Sequence, residues 1–289
     1  MARPAHPLRV MARALGRFIV RQPLGAAGAV IVLAMILVAV FAPALAPHGP
    51  KETGFAPYVA PGAEFPMGTD QVGRDVLSRV IWGARLSLQI GLFSVVFGIT
   101  LGSLWGAATA YFGGAWDSGS QRIVDSLMAL PPIILALSLM AALGQSITNV
   151  VLALTILLTP TAARTVRSVA LGVVAAPYVE AARAAGCSHG RIIMRHLLPN
   201  CLASYIVLFT TNVSYAIVVE ASLSFIGAGA PPDEPSWGGM LTAGVQALET
   251  APWMVFFPGL AISLAVFALN LLGDSIRDLT DPRLRGGLG

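Results

Sequence analysis

Apolar residues in this chain run in long unbroken stretches, and polar residues cluster briefly between them. Five windows carry no charged side chain: Gln22–Pro50, Leu86–Trp116, Ser126–Ala163, His196–Val219 and Thr250–Gly273. A helix needs about 20 apolar residues to cross a bilayer. Four windows hold one such helix each. Ser126–Ala163 is long enough for two, and the polar GQSITN stretch (Gly144–Asn149) divides it. The pattern predicts an all-α membrane protein with six transmembrane helices. Apolar runs of buried soluble helices are shorter, about 10–14 residues.

The first run raises the question of a cleaved leader. Five arginines precede it, and Ala44–Ala46 has the small residues of a cleavage site. The run exceeds the roughly 7–15 residues of a signal-peptide core, and Pro47 follows the candidate cleavage point. The reading is an uncleaved anchor: a tail over 1–23, then a first span over 24–46.

Composition agrees. Of 289 residues, 56% are hydrophobic and 11% charged, against about 25% charged in a soluble domain. Mean hydropathy is +0.76. The few cations then orient the spans. With six crossings both termini share a side. Placing them in the cytoplasm puts 14 of the 18 cations inside: Arg3, Arg9, Arg13, Arg17 and Arg21 in the tail, Arg122 in the next inner loop, Arg164, Arg167, Arg183, Arg191 and Arg195 in the central loop, and Arg277, Arg283 and Arg285 at the C-terminus. Lys51, Arg74, Arg79 and Arg85 fall outside. This is the positive-inside distribution. It accounts for the net charge of +4 without a nucleic-acid partner.

The motifs of common chemistries are missing. A phosphate-binding loop needs a lysine after its glycines, and the one lysine, Lys51, sits in HGPK on the outer side. There is no H-E-x-x-H and no G-x-S-x-G. Cys187 and Cys201 have neither metal spacing nor an oxidising compartment. No cofactor is expected in this chain. The Asn212–Ser214 sequon lies inside a span.

One polar segment is built differently from its neighbours. In PYVEAARAAGCSHGRIIMRHLLPN, Pro177 suits a first helical turn. Glu180 suits a helix N-terminus, and the alanines propagate the helix. Gly186 is placed to end it. Ser188 can cap a second short helix, which Pro199 is expected to stop. Ala181, Ala182, Ala184 and Ala185 keep the first helix slim, so another surface can come close. Arg191 and Arg195, at i,i+4, would repel each other unless something acidic faced them. The residues alone leave docking and a merely solvated basic loop both open.

The segment resembles the EAA loop of ABC importer permeases, with Glu180, Ala181, Ala182, Gly186, Leu198 and Pro199 at the motif positions. His196 stands where the general motif has isoleucine, and RHLLPN (Arg195–Asn200) is similar to the form in the dipeptide/oligopeptide/nickel permeases. Further blocks resemble the C-type subunit of that family: Met67–Leu88, Ala110–Asp117, Val219–Leu241, Ala251–Ile262 and Phe267–Arg285.

The resemblance implies a type I ABC importer permease fold, with a core over 86–285. That core contains a coupling loop at 170–200 and an external loop at 227–250, and a tail at 286–289 follows it. It implies half of a pore completed by a B-type permease. Two cytoplasmic ATPases carrying ATP and Mg would drive it, and an extracytoplasmic binding protein would deliver dipeptides, oligopeptides or nickel. The location implied is the bacterial inner membrane. The EAA loop is implied to be the coupling helix. The rival class is an ion-gradient transporter or channel, which would be expected to show inverted repeats; no clear repeat exists here.

Two features stand beside the resemblance. Glu220 is an intramembrane carboxylate, and such groups are costly and usually paired or functional; a structural partner and a pathway or gating role are both open for it. The external segment 47–85 shows Val76, Leu77, Val80 and Ile81 near helical spacing, which predicts an amphipathic helix lying at the outer face.

Overall fold

The protein is described from a computed structural model that covers residues 22–280. The arginines of the tail, Arg3 to Arg21, lie outside the described residues, as do Arg283, Arg285 and the 286–289 tail. Helix α1 (Pro23–Val40) and a short α2 (Ala42–Leu45) come first. They are followed by α3 (Val76–Phe112), α4 (Gly114–Met128), α5 (Pro132–Leu143) and α6 (Ile147–Val174). The chain then forms α7 (Pro177–Ala184), α8 (His189–Ile192), a π-helical segment (Ile193–Leu197), α9 (Leu198–Phe225), α10 (Trp237–Val245) and α11 (Trp253–Thr280). Among the described residues the one extended pairing is the isolated bridge Thr69–Asp75.

Five runs are long and apolar enough to cross a membrane: α1, α3, α6, the unbroken stretch His189–Phe225, and α11. A sixth crossing arises only if α4 and α5 count together, and these meet at 90°. The third expected span is therefore not one straight helix. Its α5 has 12 residues, about 18 Å at 1.5 Å per residue. The break has a local cause. Pro131 and Pro132 lack amide donors, and a proline disfavours helical geometry in the residue before it.

The expected separate helix at the outer face does not form. Val76, Leu77, Val80 and Ile81 are the first turns of α3 itself, which runs for 37 residues, about 55 Å. Asp75 starts it as N-cap: its carboxylate accepts from the Leu77 and Ser78 amides at 3.3 and 3.0 Å. No proline interrupts the helix before Phe112, so it continues from the loop into the bilayer. Residues 47–75 form an irregular connector instead. Asp70 holds it by accepting from Arg74 Nε at 2.6 Å, and Arg79 donates to the Pro50 carbonyl at 3.0 Å.

The centre of the bundle is the α3–α6 seam. A Cβ on Gly102 would stand 2.4 Å from the Thr159 carbonyl oxygen, and one on Gly106 would stand 2.2 Å from that of Ala163. Only glycine lets the two backbones touch, a common device where lipid supplies no hydrophobic drive between helices. Val95, Ile99, Leu158, Ala162, Ala216 and Ile217 close the core where α9 joins that pair.

The bundle has two unlike ends. At one, the 47–75 connector and the loop containing α10 form a cap. Trp237 is 1% exposed and donates its indole N–H to the Val80 carbonyl at 3.0 Å. A cavity of about 670 Å³ opens between Lys51, Arg79, Gln145, Asp233 and Gln246. At the other end lie Arg164, Arg167, Arg183, Arg191 and Arg195. These are called below the capped end and the arginine-rich end.

Candidate functional site

At the arginine-rich end the chain turns as its glycine and first proline demand. Helix α7 has Pro177 in its first turn with Glu180. The helix ends with Gly186 at φ +76°. The Gly186 amide donates to Arg183 O at 3.0 Å and the Cys187 amide to Ala182 O at 3.1 Å. This pair of bonds is a Schellman closure, and Ala182 and Cys187 pack together beneath it. Open space surrounds the Gly186 Cα, so the glycine is there for its backbone angle and not for room.

The second half differs from expectation at both of its ends. Ser188 occupies the N-cap position of α8, but its side chain makes no capping bond. Pro199 does not stop the helix. It sits in the first turn of α9, and helix runs unbroken from His189 to Phe225. The π-helical turn Ile193–Leu197 lies immediately before Pro199. A proline inside a regular α-helix removes one bond and clashes with the carbonyl four residues back; a local widening of the coil is a known accommodation at such points. The two short helices are thus one free helix and the extended tip of a long one.

What holds the segment in place was not evident from the motif. Tyr111, on the last turn of α3, is 6% exposed. Its hydroxyl lies 2.8 Å from His189 Nδ1, and the Arg183 guanidinium sits 4.7 Å from its ring centroid. Val179, Ile192 and Leu197 are fully buried against it. One aromatic side chain therefore gathers α7, α8 and the π turn. The signal was present as the tyrosine of AYFGG, but only folding brings it to His189, 78 positions away.

The opposite face is open. Glu180, Ala181, Arg191 and Arg195 are exposed, and Met194 is 65% exposed. Among the described residues Glu180, Arg191 and Arg195 form no ion pair. Ala182 and Leu198 are half-buried and Pro199 is exposed. His196 is half-buried, its ring 6.1 Å from Tyr178. Asn200 locks that contact by donating to the His196 carbonyl at 2.6 Å and to the Tyr178 hydroxyl at 3.3 Å. An aromatic neighbour suits an imidazole at this position.

Two arginines counted as loop residues belong to α6. Arg167 grips Asp117 through two bonds of 2.6 and 2.5 Å, and Arg164 pairs with Asp125. Both acids lie on α4, in a stretch expected to be a loop as far as residue 125. The bend before it is made by Gly113 and Gly114, at φ +63° and +58°.

Glu220, in α9 towards the capped end, is fully buried. Its carboxylate accepts from Ser87 Oγ of α3 at 3.3 Å and from Ser224 Oγ at 2.9 Å. In this conformation it has no face towards a pathway, and the structure supplies the partners a buried carboxylate requires. Asn270 is likewise engaged, accepting from Ser214 Oγ at 2.6 Å. Cys187 and Cys201 are free thiols. Among the described residues no three His, Cys, Asp or Glu side chains group as a metal site.

Comparison with known proteins fits this geometry. Residues 98–286 match the binding-protein-dependent transport system inner membrane component family, and residues 11–61 match the N-terminal TM domain of oligopeptide transport permease C. A putative peptide transport system permease protein of Brucella suis is 44% identical over 89% of this chain and 87% of its own. The dipeptide transport system permease protein DppC of Alkalihalophilus pseudofirmus is 40% identical over 92% and 88%. The glutathione transport system permease protein GsiD of Escherichia coli is also 40% identical over 92% and 88%. Among solved structures, the inward-facing MetNI methionine ABC transporter superposes with a TM-score of 0.57 at 19% identity, covering 70% of this chain and 96% of that one; it shows the shared fold. The chain belongs to the binding-protein-dependent transport system inner membrane component family, as a C-type ABC importer permease of the dipeptide/oligopeptide/nickel group.

Proposed function

We propose that this subunit forms half of the translocation path of an ATP-driven peptide importer and that Pro177–Asn200 is its ATPase-docking element. The relatives named for peptide, dipeptide and glutathione transport support the cargo class. Nickel has no such support among them. The observation that carries the docking reading is the open face of α7–α8. It is slim and held by Tyr111 and Gly186, yet among the described residues its Glu180 and Arg191 form no ion pair.

In this reading the subunit is not itself an enzyme. ATP and Mg are bound by two partner ATPases in the cytoplasm, a B-type permease completes the pore, and a binding protein delivers cargo at the capped end. The arginine-rich end and both termini face the cytoplasm of a bacterial inner membrane, as the cation distribution supports. Glu180, Ala181, Ala182 and Gly186 set the shape of the docking helix. His196, Leu198 and Pro199 set where it joins the rod behind it.

The test is Gly186→Val in the assembled transporter. Valine fits the open space but not the backbone angle, a strain of about 1–2 kcal/mol. If that strain falls on docking, capture of the ATPase drops roughly five- to thirtyfold. ATP-driven peptide uptake into vesicles falls with it, while wild-type uptake survives an uncoupler. Normal uptake with normal ATPase capture in the variant overturns the reading.

A further inference from the structure

Glu220 is fully buried, and its hydrogen-bond partners come from two elements. Ser87 belongs to α3 and Ser224 to α9 itself, and the start of α10 joins them through Ser87. Ser87 is the bridge: its hydroxyl donates to Glu220 and accepts from the Trp237 amide, each at 3.3 Å. The loop is also pressed onto α9 without slack. A Cβ on Gly238 would stand 2.6 Å from Ala221 Cα, and one on Gly229 would stand 2.0 Å from Ser224 Oγ. Thr242 donates to the Ser224 carbonyl at 3.1 Å. The cap cannot shift at this point without taking α9 along.

Helix α9, continued by the π turn and α8, also reaches the other end. From His189 to Phe225 the three form one unbroken helical run of 37 residues, about 55 Å long. Glu220 lies five residues from its capped end. His189, at the far end, meets Tyr111 at 2.8 Å. Rigid secondary elements with fixed joints are physical carriers of coupling between distant sites.

We propose that Glu220 is a positioning residue that fastens the α10 cap to this rod, so that a binding protein landing on the cap moves the ATPase-docking segment. The inference rests on the ABC importer reading and assigns the regulation of its docking site to one buried carboxylate. Glu220 touches no cargo in this role. It holds the Ser87 hydroxyl, which in turn holds the Trp237 amide, so that cap, α3 and α9 move together.

The experiment uses the complete transporter in nanodiscs, with its binding protein loaded from a tryptone peptide mixture. ATPase rate is read with and without the binding protein. Glu220→Ala is expected to keep the basal rate and the assembled complex but lose about tenfold of the stimulation, a typical size for coupling between two sites. Glu220→Gln, which still offers an oxygen to the hydroxyls, is expected to retain most of the stimulation. Ser87→Ala, a small change with little folding risk, is expected to lose part of it.

Full stimulation in both alanine variants overturns the proposal while leaving the importer reading intact. So does a Glu220→Gln variant as defective as Glu220→Ala, which would mean that charge and not fastening is required. A Ser87→Ala complex that loses basal rate and stimulation together also overturns it, since that is mere structural support. A wild-type complex that does not respond to its binding protein removes the importer reading and the proposal together.

Discussion

The two ends of this bundle are made from similar residues and organised in opposite ways. At the capped end, several polar groups are consumed internally. Asp75 caps α3, Asp70 holds Arg74, and Glu220 is enclosed by serine hydroxyls. Lys51 even reaches Glu234 at 2.7 Å across 183 positions of sequence. At the arginine-rich end, the buried side is filled around Tyr111, but among the described residues Glu180, Arg191 and Arg195 on the outer face form no ion pair. A chain leaves charges unpaired on an ordered, slim surface when a partner is to meet them. On the reading proposed above, the arginine-rich end offers its unpaired charges to an ATPase, while the capped end is braced mainly by its own chain.

That contrast predicts where substitutions hurt and what they hurt. The largest stability loss belongs at the capped end. Trp237→Ala removes a fully enclosed ring and its bond to the Val80 carbonyl, and large-to-small changes of this kind cost about 3–5 kcal/mol. Thermal unfolding of the purified subunit in detergent measures it. A shift no larger than that of an exposed substitution would break the contrast. Next is the seam that both ends share. Gly106→Val forces a side chain into the Ala163 carbonyl, and overpacking costs about 1–3 kcal/mol. Reduced membrane yield and a lower melting temperature are the expected result. Unchanged melting would mean that α3 and α6 are not in backbone contact.

A smaller and more specific effect is expected at the anchor of the docking segment. Tyr111→Phe keeps the ring beneath Arg183 and removes only the hydroxyl bonded to His189. One such bond is worth about 1 kcal/mol. The melting temperature should move little, while peptide uptake falls severalfold because the docking segment loses its fixed orientation. Equal uptake by the variant would show that the apolar contacts of Val179, Ile192 and Leu197 orient the segment unaided.

Much of this arrangement was legible in the sequence because it depends on local rules. The uncharged windows marked the spans, Pro177 marked a helix start, and Gly186 marked a stop, since each acts on its own backbone. What sequence did not convey depends on neighbours elsewhere in the chain. Pro199 reads as a terminator because prolines break helices, yet a π turn lets the rod pass through it. Val76 to Ile81 read as an interfacial helix because their spacing is the same whether the helix stops or continues; Asp75 starts it and nothing ends it before Phe112. Residues 113–125 read as a loop because Asp117 and Asp125 look solvated until Arg167 and Arg164 arrive from α6. Glu220 could be recognised as costly, but its serine partner on α3 could not.

The smallest stability effect and the sharpest test of the contrast coincide at Met194. Its side chain is 65% exposed and lies between Arg191 and Arg195 on the open face. A surface substitution of this kind usually changes stability by no more than about 0.5 kcal/mol, so Met194→Ala should melt like the parent subunit. A flexible, polarizable thioether on an exposed face is nevertheless well suited to fill an irregular groove on a partner. ATPase capture and ATP-driven uptake should therefore both weaken, although the isolated subunit is unaffected. Paired with Trp237→Ala, this separates the two ends by measurement: one variant fails alone in detergent, the other only in the presence of its partner. Should Met194→Ala destabilise the isolated subunit instead, the methionine packs within its own chain and the open face is narrower than its exposure indicates.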